Sequence, residues 1–208
     1  MLTLVIGNKN TSSWSLRPWL VLRHLGLAFS EIGLLLDTPE FKQQLARYSP
    51  AGRVPVLIEG DLHIWDSLAI AEYLHEKSGG LAWPADAATR AHARSVSAEM
   101  HSGFSALRQT WPMNATARLN VGLDSAGASD VARIDELWQD CRAKYSGDGP
   151  WLFGRYCIAD AMYAPVVLRF NTYAPSLSPV AKAYMQQTLS DPHLQEWMRD
   201  GAREVGVA

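Results

Sequence analysis

Strand-type patterning in this chain ends near residue 78 and does not return, and that boundary limits the folds open to it. Residues 3–7 are a short apolar run closed by Gly7, followed by polar Asn8-Lys9-Asn10-Thr11-Ser12-Ser13 and then by Leu16, Leu20 and His24 on one helical row. That order reads strand, loop, helix, with Gly26 placed to cap the helix. Residues 29–36 read as a second strand, so the opening is β-α-β and favours a parallel pair with a right-handed crossover. A proline-started helix is expected over 39–48. Arg53-Val54-Pro55-Val56-Leu57-Ile58-Glu59 and Leu62-His63-Ile64-Trp65 then flank Gly60-Asp61, a two-residue hairpin turn. Asp66 and Ser67 are good N-cap residues ahead of Leu68, Ile70, Ala71, Tyr73 and Leu74 at helical spacing. The result is β-α-β-α-β-β-α in roughly 80 residues, a usual domain size.

Ser78-Gly79-Gly80-Leu81-Ala82-Trp83-Pro84 punctuates the chain, and the expected division is a first domain over 1–79, a linker over 80–86 and a second domain over 87–208. Only helical periods follow the linker. The spacing predicts one long helix or two abutting ones over 87–113, interrupted by Pro112, and another from Ser129 through Val131, Ile134, Trp138, Cys141 and Tyr145. Three more are expected over 158–171, 179–190 and 192–201. The fold class is therefore α/β plus all-α, with 208 residues able to bury a sizeable core.

Composition narrows the partners. A formal net charge of -2 gives no global basic field, so nucleic acid is not an expected partner. No apolar stretch approaches the ~18 residues of a spanning helix and no secretory signal opens the chain, so no membrane partner and a cytoplasmic location are expected. Cys141 and Cys157 lack CxxC spacing, and the six histidines show no ligand pattern, so no metal is expected.

Three motifs carry a resemblance. Arg53-Val54-Pro55-Val56-Leu57, Asp66-Ser67-Leu68-Ala69-Ile70-Ala71-Glu72-Tyr73-Leu74, and Trp151-Leu152-Phe153-Gly154 followed by Ile158-Ala159-Asp160 stand in the order and spacing of the cytosolic glutathione transferases. The chain resembles the serine-type members most, and among them the zeta-like, maleylacetoacetate isomerase-like class, whose Ser-Ser-Cys-Ser segment is similar to Ser12-Ser13-Trp14-Ser15. The resemblance implies a thioredoxin-like N-terminal domain with a cis-proline at Pro55, an all-helical C-terminal domain lining the electrophile site, and a homodimer.

It also implies chemistry. Glutathione is the expected co-substrate and a small electrophile the second partner. Ser12, and after it Ser13, is the candidate for holding the thiol as an anion. Trp14, Arg53, Val54, Pro55, Asp66 and Ser67 are the candidate glutathione-binding residues, while Phe104, Arg108 and Trp111 are candidates for the electrophile pocket. The serines would also serve as ordinary helix caps. Trp14 stands where the zeta-like pattern has cysteine, which argues against thiol-disulfide exchange. A detoxifying transferase is the leading expectation, with glutathione-dependent cis-trans isomerisation or peroxidase chemistry as variants. A glutathione transferase-like ligand carrier without turnover is the rival.

Overall fold

A computed structural model describes residues 1–205; the last three residues of the expected 87–208 helical domain lie outside the described residues. The N-terminal part contains β1 (Leu2–Ile6), α1 (Ser13–His24), β2 (Phe29–Gly33), α2 (Phe41–Leu45), β3 (Val56–Glu59), β4 (Leu62–Trp65) and α3 (Ser67–Lys77). The sheet runs β2-β1-β3-β4, with β1 and β2 parallel and the other neighbours antiparallel. This is a thioredoxin-like layer. β3 and β4 pair Glu59 with Leu62 across the Gly60-Asp61 turn, and Gly60 supplies the positive φ that the tight connection requires.

The helical region contains α4 (Ala87–Ser102), α5 (Ser105–Thr110), α6 (Ser125–Tyr145), α7 (Ile158–Tyr173), α8 (Pro179–Leu189) and α9 (Pro192–Val205). The expected 87–113 helix breaks earlier than Pro112. Gly103 is extended and Phe104 adopts φ 57, ending α4 before α5 starts. A Cβ on Gly103 would stand 2.7 Å from the Glu99 carbonyl oxygen, so the close turn requires glycine there. Helix α6 starts four residues before Ser129 because Asp124 caps it, accepting from the Gly127 N–H. Strand β2 stops at Gly33, short of residue 36, and α2 is a five-residue turn of helix within the expected 39–48.

One continuous apolar core joins the two regions. Leu16, Trp19, Leu20 and Leu22 of α1 lie in it with Ile70 and Leu74 of α3 and most of α7. On the other face of the sheet, Val5, Leu34, Leu45 and Val56 form a smaller core roofed by α2. Burying such side chains contributes roughly 1.5–3 kcal/mol each, offset by the ordering of the chain.

The start of α7 is fixed by a buried carboxylate. Asp160 accepts from the N–H groups of Leu152 and Cys157 and from the Tyr184 hydroxyl, at 3.0, 2.9 and 3.1 Å. Burial pushes its carboxyl up to about 6, against the pull of those donors. Asp160→Ala strands three buried donors, so unfolding free energy should fall by about 3 kcal/mol or more in urea titrations; an unchanged midpoint would show that the donors find other partners.

Candidate functional site

The first strand delivers the chain into a turn that the rest of the molecule holds in place. Ser12 N–H and Thr11 N–H both donate to the Asn8 carbonyl, and the Asn8 side chain accepts from Leu36 N–H at 2.8 Å. From the C-terminal side, the Trp197 indole donates to the Lys9 carbonyl at 2.7 Å. Lys9 itself bridges Glu31 and Asp200, at 2.8 and 2.9 Å. Gly201 packs against this turn so closely that a Cβ there would stand 2.9 Å from Asn10 N.

Ser12 occupies the N-cap position of α1 yet makes no side-chain cap bond. Its hydroxyl donates instead to Ser15 Oγ at 2.8 Å, and Ser15 Oγ also accepts from Gly7 N–H at 3.1 Å. Ser12 is only 6% exposed. Ser13, the first residue of α1, is half-buried. The capping role open to these serines is thus not the one Ser12 plays, and its hydroxyl belongs to a small relay running back to β1.

Beside this junction lies a cleft of about 450 Å³ lined by Trp14, Ala51, Arg53, Val54, Pro55, Trp65, Asp66 and Ser67. The Val54-Pro55 peptide bond is cis. Val54 precedes the ladder, whose first pairs are Val56 with Trp65 and Val5 with Val56. Asp66 is a positive-φ residue at φ 75, capping α3 through Oδ1, which accepts from Leu68 and Ala69 N–H at 2.9 and 3.2 Å. All six residues expected to hold the peptide therefore share one cavity. Ser12 and Ser13 adjoin it through Trp14 and are not among its lining residues.

The expected electrophile residues divide. Trp111 stacks on Tyr173 with ring centroids 4.9 Å apart and donates its indole N–H to the Val121 carbonyl, and Phe104 is buried beside the break between α4 and α5. Both pack in the core. Arg108 alone comes forward, with its guanidinium 5.4 Å from the Trp14 ring.

Three further residues escaped the sequence reading. Arg17 is 2% exposed and stacks on Trp14 at 4.2 Å, with Nη1 3.5 Å from Ser67 Oγ and its Nε buried without a partner. Arg169 of α7 is 4% exposed and donates to the Trp111 and Pro165 carbonyls. Burial, reinforced by neighbouring guanidinium charge, pulls Arg17 down to about 9 and Arg169 to about 10. None of Arg17, Arg108 and Arg169 forms a salt bridge among the described residues. His101, in the last turn of α4, meets Asp66 Oδ2 at 3.1 Å. The only available signal was Arg17 falling between Leu16 and Leu20 on an apolar helix; nothing in the spacing marked Arg169 or His101.

A thioredoxin-like sheet with a cis-proline ahead of its third strand, a capped helix beside it and a helical region packed over both is the architecture of the glutathione transferases. Comparison with known proteins agrees. Residues 11–77 match the glutathione S-transferase N-terminal domain family. Along most of its length the chain is 27% identical to a probable maleylacetoacetate isomerase of Caenorhabditis elegans, over 88% of this chain and 86% of that protein. Maleylacetoacetate isomerase of Rattus norvegicus is also 27% identical, over 82% and 79%. Among solved structures, a Burkholderia glutathione transferase homolog with bound glutathione superposes at a TM-score of 0.71 and 25% identity, covering 97% of this chain and 98% of that one. Residues 11–77 are thus a glutathione S-transferase N-terminal domain, and the fold of the chain is that of the glutathione transferases.

Neither cysteine reaches the cleft. Burial pushes the Cys141 thiol up to about 12 and raises that of Cys157 as well. Both thiols should therefore stay unreactive toward a chromogenic disulfide reagent at pH 8 and be released together in denaturant; a fast-reacting equivalent in the native protein would contradict their burial.

Proposed function

We propose that the chain binds glutathione in the cleft and holds its thiol as an anion for attack on a small electrophile. The convergence of Val54-Pro55 and Asp66-Ser67 on one cavity beside the start of α1 carries this reading. Val54, just outside the ladder, offers main-chain groups to the cysteinyl part of the peptide. Asp66 Oδ2 suits the γ-glutamyl ammonium, and Ser67, with Arg17 behind its hydroxyl, suits the γ-glutamyl carboxylate. Arg53 faces the glycyl carboxylate.

A free thiol titrates near ~8.5, so holding it ionised at neutral pH by about two units takes roughly 2.7 kcal/mol. The N-terminus of α1 contributes part of that. Ser12 supplies the rest by reversing its relay: Ser15 Oγ–H donates to Ser12 Oγ, which frees the Ser12 proton for the sulfur while Ser15 keeps its bond from Gly7. The homodimeric, cytoplasmic, detoxifying role that the resemblance implies belongs to the same reading.

The three arginines favour a second, finer reading, in which the electrophile is a carboxylated one and the reaction a glutathione-dependent cis-trans isomerisation of a maleyl-type acid. Sulfur adds to the double bond, the bond rotates, and elimination returns the peptide unchanged. The likeness to maleylacetoacetate isomerases supports it. Arg108, the least enclosed of the three, is the residue to meet that carboxylate.

Two measurements test these statements. Ser12→Ala should abolish the ultraviolet thiolate absorbance of bound glutathione at pH 7 and lower kcat/KM about 100-fold, while Ser13→Ala retains both. Loss on Ser13→Ala alone moves the role to Ser13, and glutathione binding with no thiolate in any form identifies a carrier. Arg108→Ala should raise KM for a maleyl acid about tenfold or more and leave KM for glutathione and the turnover of a neutral aryl halide unchanged; equal loss on both electrophiles would remove the carboxylate reading.

A further inference from the structure

We infer that His101 tunes glutathione affinity by competing with the peptide's ammonium for Asp66 Oδ2, so that a protonated imidazole loosens the bound peptide and a neutral one releases the site to it. The inference rests on the glutathione reading and assigns a positioning role, through Asp66, to a residue of the helical region.

The geometry leaves Asp66 one oxygen to share. Oδ1 is committed to the N–H groups of Leu68 and Ala69, which cap α3. Oδ2 is the atom that lies 3.1 Å from His101 Nε2. Any ammonium drawn to this carboxylate meets the imidazole at the same atom.

The groups around the imidazole decide its charge. Asp66 of the α3 cap is the one acid facing it among the described residues. Arg17 of α1 and Arg108 of α5 bring positive charge, the Trp14 ring lies edge-on at 5.3 Å, and Arg108 Nη1 donates to the His101 carbonyl at 3.3 Å. His101 Nδ1 is buried with no hydrogen-bond partner among the described residues, as suits a neutral ring that donates through Nε2. Burial first, and then the two guanidiniums, hold its pKa below the ordinary histidine value against the pull of Asp66. Near neutral pH the ring is therefore uncharged, donates one hydrogen bond, and leaves Asp66 its full negative charge for the ligand. As pH falls through the His101 titration, the imidazolium neutralises Asp66 and adds a third cation beside an incoming ammonium. Binding is then coupled to proton release, and by reciprocity the bound peptide lowers the pKa of His101 further.

S-methylglutathione is the probe, because it keeps the ammonium and both carboxylates but has no thiol to titrate. In calorimetric titrations its affinity for the wild-type protein should fall about tenfold between pH 7.5 and 5, one decade for each unit of linked pKa change. His101→Gln, which keeps an N–H donor without a charge, should bind as wild type does at pH 7.5 and lose most of that fall. His101→Lys, a permanent cation, should bind weakly at both pH values. The imidazole resonances of the wild-type protein should also titrate at lower pH when the probe is bound, a readout independent of how the variants fold. Equal pH dependence in wild type and His101→Gln, or an unmoved titration, overturns the inference. No binding of the probe to wild type at any pH overturns the glutathione reading itself.

Discussion

Helix α1 is enclosed by the sheet, α3, α7 and α9, and the placement of everything functional follows from that enclosure. Leu16, Trp19, Leu20 and Leu22 are buried nearly completely, so the helix cannot rotate or slide without opening the core. Its first turn therefore presents Ser12, Ser13 and Trp14 at a fixed height beside the cleft. The same enclosure forces Arg17 inward, where its stem packs and its head reaches Ser67 of the neighbouring helix. A charge so placed is costly to bury alone. It is tolerated here through the Trp14 face and the Ser67 oxygen, with no carboxylate of the described residues in salt-bridge contact.

The cationic character of this interior is distributed over three helices. Arg17, Arg108 and Arg169 come from α1, α5 and α7; Arg108 depresses the proton affinity of both others, and Arg169 that of Arg17. Among the carboxylates of the described residues, Asp66 and Asp130 supply opposing charge to them, both from beyond salt-bridge distance. On the proposed reading an anion completes such an interior electrostatically, the role assigned there to the carboxylates of the peptide and of its reaction partner. Asp66 stands where the thioredoxin-like layer and the helical region meet, bonding to its own helix through one oxygen and to α4 through the other.

Much of this arrangement could be read in the residues, and the failures have physical causes. The hairpin was legible because Gly60-Asp61 admits few turn geometries, and the α3 cap because Asp66 precedes an apolar helical face. The Val54-Pro55 turn was legible through its flanks. The break at Gly103 and Phe104 was not, because a bulky residue at φ 57 is set by tertiary packing rather than by local preference. Phe104 and Trp111 had the helical spacing of pocket residues and of core residues alike, and the core claimed both. His101 reached Asp66 across 35 positions and between two structural regions, a contact that no local period encodes. Arg169 is hidden for the same reason, its donors going to carbonyls of α7 and of the segment after α5.

The turn carrying Ser12 is held by α9, through Trp197, Asp200 and the close approach of Gly201 to Asn10. In the order of biosynthesis α9 follows every other element described. The strand, the turn and the first helix leave the ribosome early, but the turn acquires these partners only when α9 has emerged. A product truncated before α9 would leave the serine turn without its brace, so the turn matures only once that helix is made.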